Sequence, residues 1–284
     1  SKYIDYIKEN TDWKIIFYGH DLHFLRLQRE YALKPRPELL EEIAYFKSME
    51  LSVLQKADIS YYPSNLEVEE IHKIDDSIPV KAITAYVFSD SVQVEKMTEG
   101  REGMLFVGGF AHPPNEDGVL WFAKEIFPLM RRQLPNLRFR IVGSKPTEKV
   151  LALGQQEGIE VLGFVSDEKL HSLYQESRMV IVPLRYGAGV KGKVVEALHE
   201  GAAILTTPCG AEGIPGIEEV VAIEGEEREF AKIGALLYQN IPKLREMGQK
   251  SLEFVEKAFS TEAVFEGIRE DFGLGKDGEV LELK

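Results

Sequence analysis

Apolar residues fall along the chain in short runs separated by longer amphipathic stretches. "KIIFY" (14–18), "ADISYYPS" (57–64) and "VKAIT" (80–84) each read as a short buried strand. Between the first two lies a charged, amphipathic stretch from Phe24 to Lys56. Pro35 and Pro37 interrupt it, which predicts two helices. After the second strand, Ser64 precedes Glu67 by three residues, the pattern of a capping box at a helix start. Residues 89–103 are polar and aperiodic and read as a linker. The same alternation then resumes more fully. Strands are predicted at 104–110, 137–144, 159–164, 178–184, 202–208 and 220–225, with helices between them and through most of 226–271. One helix is expected over 115–135, with Val119, Phe122, Ala123 and Ile126 on its apolar stripe. Another is expected over 166–177, capped by Ser166.

Strands alternating with helices specify parallel sheets joined by crossover helices. Residues 103–258 carry a complete doubly wound series, whereas 1–95 carry only about three strands. The chain therefore divides into a small N-terminal α/β unit (1–95), a larger α/β unit (103–258) and a C-terminal helix (259–284).

Bulk composition narrows the partners. The 284 residues hold 44% hydrophobic and 29% charged residues, as in a globular protein with a sizeable core. A net charge of −13 argues against nucleic acid and gives no support to peripheral membrane association. No apolar run approaches the ~20 residues of a membrane span. Cys209 is the only cysteine, so no internal disulfide forms, which fits a cytoplasmic protein. The residue reads as a small buried side chain, since no spacing marks a base for it.

Three stretches sit at carboxyl ends of predicted strands, where open α/β sheets bind ligands. In "GGFAHPPN" (108–115), Gly108 and Gly109 admit close approach to the backbone, and the helix start can hold an anion. A tight turn with Pro113 and Pro114 fixing the helix entry accounts for the same residues. The pair is not G-x-G-x-x-G, which disfavours a nicotinamide or flavin cofactor. In "RYGAGVKGKVVEALHEG" (185–201), Lys191 and Lys193 lie at a helix start, against the helix dipole. A solvated Lys193–Glu196 pair explains one lysine. A bound phosphate explains both lysines and the glycines Gly187 and Gly189. Glu196, one turn in, would then accept hydrogen bonds from hydroxyls such as those of a ribose. The stretch lacks the hydroxyl of G-x-x-x-x-G-K-[ST], which argues against a kinase or ATPase loop. In "GHDLHFLRLQRE" (19–30), His20, Asp21, His23 and Arg26 cluster after a strand. They read either as acid/base or transition-state groups on an acceptor side, or as a capped helix with surface histidines. No third ligand accompanies the histidines at metal-binding spacing. The loop "TTPCGAEGIPG" is expected to join the same pocket through Gly210, Ala211, Glu212 and Gly213. Asn115, Arg185 and Tyr186 are further pocket candidates.

The second half resembles the group 1 glycosyltransferases, a retaining family of GT-B fold. The resemblance is carried by "LFVGGFAHPPNEDGVLWFAKEIFP", "FRIVGS" and "VLGFVSDEKLHSLYQESRMVIVPLRYGAGVKGKVVEALHEGAAILTTPCGAEGI", and more weakly by "YGHDLHFLR". It implies two Rossmann-type domains, a nucleotide-diphosphate-sugar donor, a carbohydrate or glycolipid acceptor, and no required metal. By the same resemblance Glu196 meets the ribose, Lys191 and Lys193 the diphosphate, Gly109 the donor phosphates, and His20 the transferred sugar. Three departures stand out. The family's E-x7-E pair places Ala188 where the first glutamate belongs. The 108–118 loop lacks the family's Arg and Lys. No glycine-rich loop precedes residue 14, so the first domain is expected to be incomplete, either a fragment or a reduced form. Two alternatives accompany a transferase: a non-catalytic nucleotide-sugar-binding module, and a GT-B enzyme of another reaction such as an epimerase.

Overall fold

The computed structural model describes residues 3–89 and 100–275. Most of the predicted linker, 90–99, lies outside them, as does 276–284. Two separate parallel sheets form. The first contains β1 (Ile16–Tyr18), β2 (Ile59–Tyr62) and β3 (Val80–Ala82) in the order β1-β2-β3. The second contains β4 (Met104–Val107), β5 (Phe139–Val142), β6 (Ile159–Gly163), β7 (Met179–Val182), β8 (Ile204–Thr206) and β9 (Ala222–Ile223). Its order is β6-β5-β4-β7-β8-β9, all parallel, the arrangement of a doubly wound dinucleotide-type domain.

Side chains alternate across this second sheet, and both faces are covered. Met104 and Phe106 of β4, with Met179 and Ile181 of β7, pack under helices 113–133 and 227–239. Leu105, Val180 and Val182 point the other way, onto helices 192–199 and 241–259. Burial on both faces explains why these strands read as unbroken apolar runs.

Two helical expectations change. The single helix over 115–135 is three pieces: Pro113–Trp121, a π-helical turn Phe122–Ile126, and Phe127–Gln133. Pro128 is the cause. It lacks an N–H and its ring clashes with the carbonyl four residues back, so the ladder widens by one residue just before it. The capping box at Ser64 also does not form. Ser64 is the N-cap of Asn65–His72 but makes no side-chain cap bond, and its hydroxyl donates to Glu67 at 3.3 Å. Glu67, fully buried, instead reaches across to accept from Leu22 N at 3.1 Å. Burial lifts its carboxyl to about 7.

The interruption at Pro35 and Pro37 holds: the helices are His23–Leu33 and Pro37–Leu54. They pack in the core of the first unit with Leu22, Phe24, Leu25, Leu54, Tyr62 and Ile71. Ala188, from the second unit, belongs to this same cluster. Two crossings tie the units further. Phe88 pairs with Ser260, and its N–H donates to Phe259 O at 2.9 Å. Beyond helix Thr261–Ile268, Asp271 accepts from Tyr61 at 2.6 Å, Lys81 at 2.7 Å and, through its carbonyl, Lys14 at 2.8 Å.

Candidate functional site

β4 and β7 are neighbours whose crossovers run in opposite directions, so their carboxyl ends open a crevice at the switch point of the sheet. The β4 loop supplies Gly108, Gly109 and Asn115, and the β7 loop leads into helix Gly192–His199 with Lys193 and Glu196. These residues line one cavity of about 580 Å³, together with Val142–Ser144, Phe164, Val165, Asp167, Leu170, Tyr86 and Phe88. The glycines here are closely packed. A methyl group at Gly143 would lie 2.0 Å from the Gly108 carbonyl oxygen, and one at Gly108 would lie 3.0 Å from Asn115 and 3.1 Å from Lys193.

Lys193 does not pair with Glu196. Its ammonium donates to Asn115 Oδ1 at 2.6 Å and lies 5.9 Å from the centre of the Phe106 ring. Asn115 in turn donates to Gly109 O at 2.7 Å, which fixes the turn. Burial, reinforced by the Lys191 charge, lowers the Lys193 ammonium to about 8. Glu196 is half-buried, and burial raises its carboxyl, with Glu200 and Asp167 adding to the effect. Among the described residues its carboxylate forms neither a hydrogen bond nor an ion pair. The site therefore presents a desolvated cation held by a neutral amide, with an unengaged carboxylate one helical turn further on. An anion bearing neighbouring hydroxyls would complete both groups.

The other pocket candidates fall elsewhere. Lys191 is buried and donates to Gly189 O, with the Glu212 carboxylate 3.6 Å away. Arg29, from the first unit, donates to both Gly187 O and Glu212 at 2.6 Å. Gly189 (φ +68°) lies under the His20 carbonyl, where a methyl group would approach to 3.0 Å; this left-handed position admits little but glycine. Gly213 packs on Ser64 in the same way, and Gly210 on Thr206. Ala211 is core. Arg185 is committed to buried Asp117 through two bonds of 2.8 and 2.6 Å, with Lys34 on the same carboxylate. Tyr186 is buried beside them. This group forms the contact between the two units rather than the cavity wall.

On the first unit, His20 is exposed at the end of β1, edge-on to Tyr18 with ring centres 5.5 Å apart. Asp21 pairs with Arg26 at 3.0 Å and does not cap the helix. The helix start is held by Glu50, which accepts from His23 N at 2.9 Å and Phe24 N at 3.3 Å. His23 is committed to that same carboxylate at 2.9 Å, which raises the imidazole above its ordinary value, and it stacks on Phe46. The ring is thus held in place by Glu50 and Phe46, with its side chain 40% exposed. Cys209 is part-buried, and burial pushes its thiol up, the opposite of an activated nucleophile.

Sequence reasoning missed several cavity-lining residues, Phe164, Tyr86 and Phe88 among them, and passed over His112 in the β4 turn. Phe164 stands at the cavity rim, 78% exposed. It was legible only as an aromatic just past a strand. Tyr86 and Phe88 enter from the segment after β3 and carry no motif. His112 lies in the β4 turn, and its N–H donates to Gly109 O at 3.3 Å. Burial, then the charges of Arg26 and Lys193, hold its imidazole down at about 4, so it is neutral between cations of both units.

Two α/β units with parallel sheets, the larger with this crevice at its switch point, have the GT-B glycosyltransferase fold. Residues 101–240 match the model of the family described as Glycosyl transferases group 1. Staphylococcus aureus TarM, solved in complex with fondaparinux, alpha-GlcNAc-glycerol and UDP, superposes with a TM-score of 0.69 at 13% identity, covering 92% of this chain and 51% of its own. WaaG, a glycosyltransferase of lipopolysaccharide biosynthesis, gives 0.65 at 12% identity over 92% of this chain and 77% of its own. A Klebsiella pneumoniae protein of 44.6 kDa from the cps region is 27% identical over 172 residues, 58% of this chain and 44% of its own length. The chain thus spans about half the length of TarM and less than half of the Klebsiella relative. No helix among the described residues is long and apolar enough to cross a membrane.

Proposed function

We propose that this chain binds a nucleoside diphosphate sugar in the 580 Å³ cavity and transfers the sugar, with retention, to a carbohydrate or glycolipid acceptor. The observation that carries the reading is Lys193: a desolvated ammonium whose hydrogen-bond partner is Asn115, at the crevice where doubly wound sheets bind phosphates. Residues 103–258 form the donor-binding unit, 1–95 the acceptor side, and 259–284 the return toward it. The group 1 match over 101–240, and neighbours solved with UDP, support the same reading.

The chemistry follows from charge. As the bond between the anomeric carbon and the diphosphate breaks, its electron pair goes to the departing phosphate oxygen. Lys193 and the amide groups at the start of helix 192–199 stabilise that charge without reorganising. Lys191 joins them by leaving the Gly189 carbonyl and the Glu212 carboxylate, its present partners. Glu196 holds the ribose hydroxyls. Phe164 gives the base a face to stack on. His20, across the cleft, meets the transferred sugar, with Asp21 and Arg26 beside it. With retention, the acceptor hydroxyl bonds to the anomeric carbon from the face the diphosphate leaves, and its proton passes to the departing phosphate oxygen.

Calorimetry with UDP, GDP, ADP and CDP tests the reading, followed by transfer assays over an acceptor panel. One of the four is expected to bind, with affinity falling at high salt. Binding of none overturns the proposal. Binding without transfer to any acceptor selects the non-catalytic module. Phe164→Ala is expected to cost about tenfold in nucleotide affinity, within the range of ~1–3 kcal/mol for base–aromatic stacking, while pyrophosphate binding stays unchanged.

A pH dependence follows from Lys193. Its ammonium is lowered to about 8 in the free protein, and a bound diphosphate must raise it. Binding then takes up a proton above pH 8, so affinity falls as pH rises. From pH 7 to pH 9 the loss is expected to be about tenfold, and absent in Lys193→Ala. A flat profile in the wild type would count against Lys193 as the anion contact.

A further inference from the structure

Tyr86 lies outside every motif, yet it reaches the cavity from the other side of the molecule's crossover. The segment 83–89 leaves β3 of the first sheet and is pinned at both ends. Ile83 N donates to Tyr62 O at 2.8 Å, and Phe88 N donates to Phe259 O at 2.9 Å. The Phe88 ring stacks on His199, at the far end of the helix that carries Lys193 and Glu196, with centres 3.9 Å apart. So anchored, the segment lays Tyr86 over the first turn of that helix. A methyl group at Gly192 would lie 2.4 Å from the Tyr86 hydroxyl, so residue 192 must be glycine for the ring to sit there. Gly192 and Glu196 are four residues apart and share one helix face. Tyr86 and Glu196 line the same cavity. Among the described residues the Tyr86 hydroxyl has no hydrogen-bond partner. Burial raises it, and the Glu196 charge raises it further, so it stays protonated and able to donate.

We propose that Tyr86 is a nucleotide-binding residue supplied by the crossover segment, its hydroxyl donating to a ribose oxygen of the nucleoside diphosphate while Glu196 accepts from the ribose hydroxyls. The inference rests on the proposed donor site and adds a contact to it from the first unit's side. The pair is complementary: a carboxylate only accepts, a phenol hydroxyl can donate, and a ribose offers both functions. Because Tyr86 rides on the segment joining the two sheets, nucleotide affinity depends on where that segment sits.

The test compares wild type, Tyr86→Phe, Glu196→Gln and the double variant. Calorimetry uses the best binder among UDP, GDP, ADP and CDP, with inorganic pyrophosphate as the ligand lacking ribose. Tyr86→Phe keeps the ring on Gly192 and removes only the hydroxyl. It is expected to weaken nucleotide binding about tenfold, to leave pyrophosphate binding and the melting temperature unchanged, and to add less than its full factor to Glu196→Gln. Unchanged nucleotide affinity in Tyr86→Phe, with wild type binding normally, overturns this inference and leaves the donor site standing. Equal losses for nucleotide and pyrophosphate overturn it as well, since they place the hydroxyl on phosphate or in packing. A wild type that binds none of the nucleotides removes the donor-site reading, and this inference with it.

Discussion

Lys193→Ala is expected to weaken nucleoside diphosphate binding by about 50-fold without destabilising the fold. The first half rests on chemistry. Charge-assisted hydrogen bonds to phosphate contribute about 1.5–3 kcal/mol each, and among the described residues Lys193 is the cation that lines the cavity. The second half rests on its lowered ammonium. Folding already disfavours the charged form, because the site desolvates it and supplies only Asn115 in return. Removing the charge is therefore neutral or slightly stabilising, a cost carried for function. The readouts are calorimetric affinity and melting temperature. A lowered melting temperature accompanying lost affinity would make Lys193 a structural residue instead. Glu196→Gln is expected to act more mildly, since the amide keeps one acceptor for a hydroxyl.

Ala188→Glu is expected to destabilise the protein by about 3 kcal/mol or more, and not to improve donor binding. The family pattern would place a glutamate here, which makes this substitution look like a repair. The structure predicts the opposite. Ala188 is 9% exposed and packs into the apolar cluster of the first unit, with Leu22, Phe24, Leu25, Leu54 and Tyr62. A carboxylate there loses its water and gains no partner. Its carboxyl would titrate above the ordinary glutamate value, so the damage is smallest below that value and grows as pH rises. Melting curves at pH 5 and pH 8 measure this, with the larger drop expected at pH 8. An unchanged melting temperature together with tighter nucleotide binding would show that position 188 faces the donor.

Those two residues also mark how far the sequence could be read. The strands were legible because burial on both sheet faces writes continuous apolar runs, as in "MLFV" and "MVIV". Gly108, Gly109, Lys193 and Glu196 were legible because they sit at strand ends next to helix starts. Local spacing alone puts them at the mouth of the sheet, and the cavity gathers all four. Most of the rest of the predicted pocket was drawn from the loops after β7 and β8, but proximity in sequence did not decide direction. Gly187, Gly189, Lys191, Glu212 and Gly213 turn toward the first unit, where Arg29, His20 and Ser64 meet them.

Partners across long separations account for the remaining misses. The Ser64–Glu67 spacing promised a local cap. Glu67 found a better use 45 residues away on Leu22, and Glu50 took the cap that Asp21 seemed placed to make. A buried backbone N–H must be satisfied by whichever carboxylate the packing brings near, and spacing along the chain does not report that. Tyr86 was invisible for the same reason. Its place in the cavity depends on Phe88 being pinned to Phe259 and stacked on His199, contacts that span most of the second unit. Alone, the sequence determined the parallel α/β alternation and the placing of Gly108, Gly109, Lys193 and Glu196 at strand ends, because periodicity and strand-end chemistry are local. Tertiary structure decided which face of the 185–192 loop meets the ligand and which meets the other unit, because that choice depends on long-range packing and on where each buried charge finds a partner.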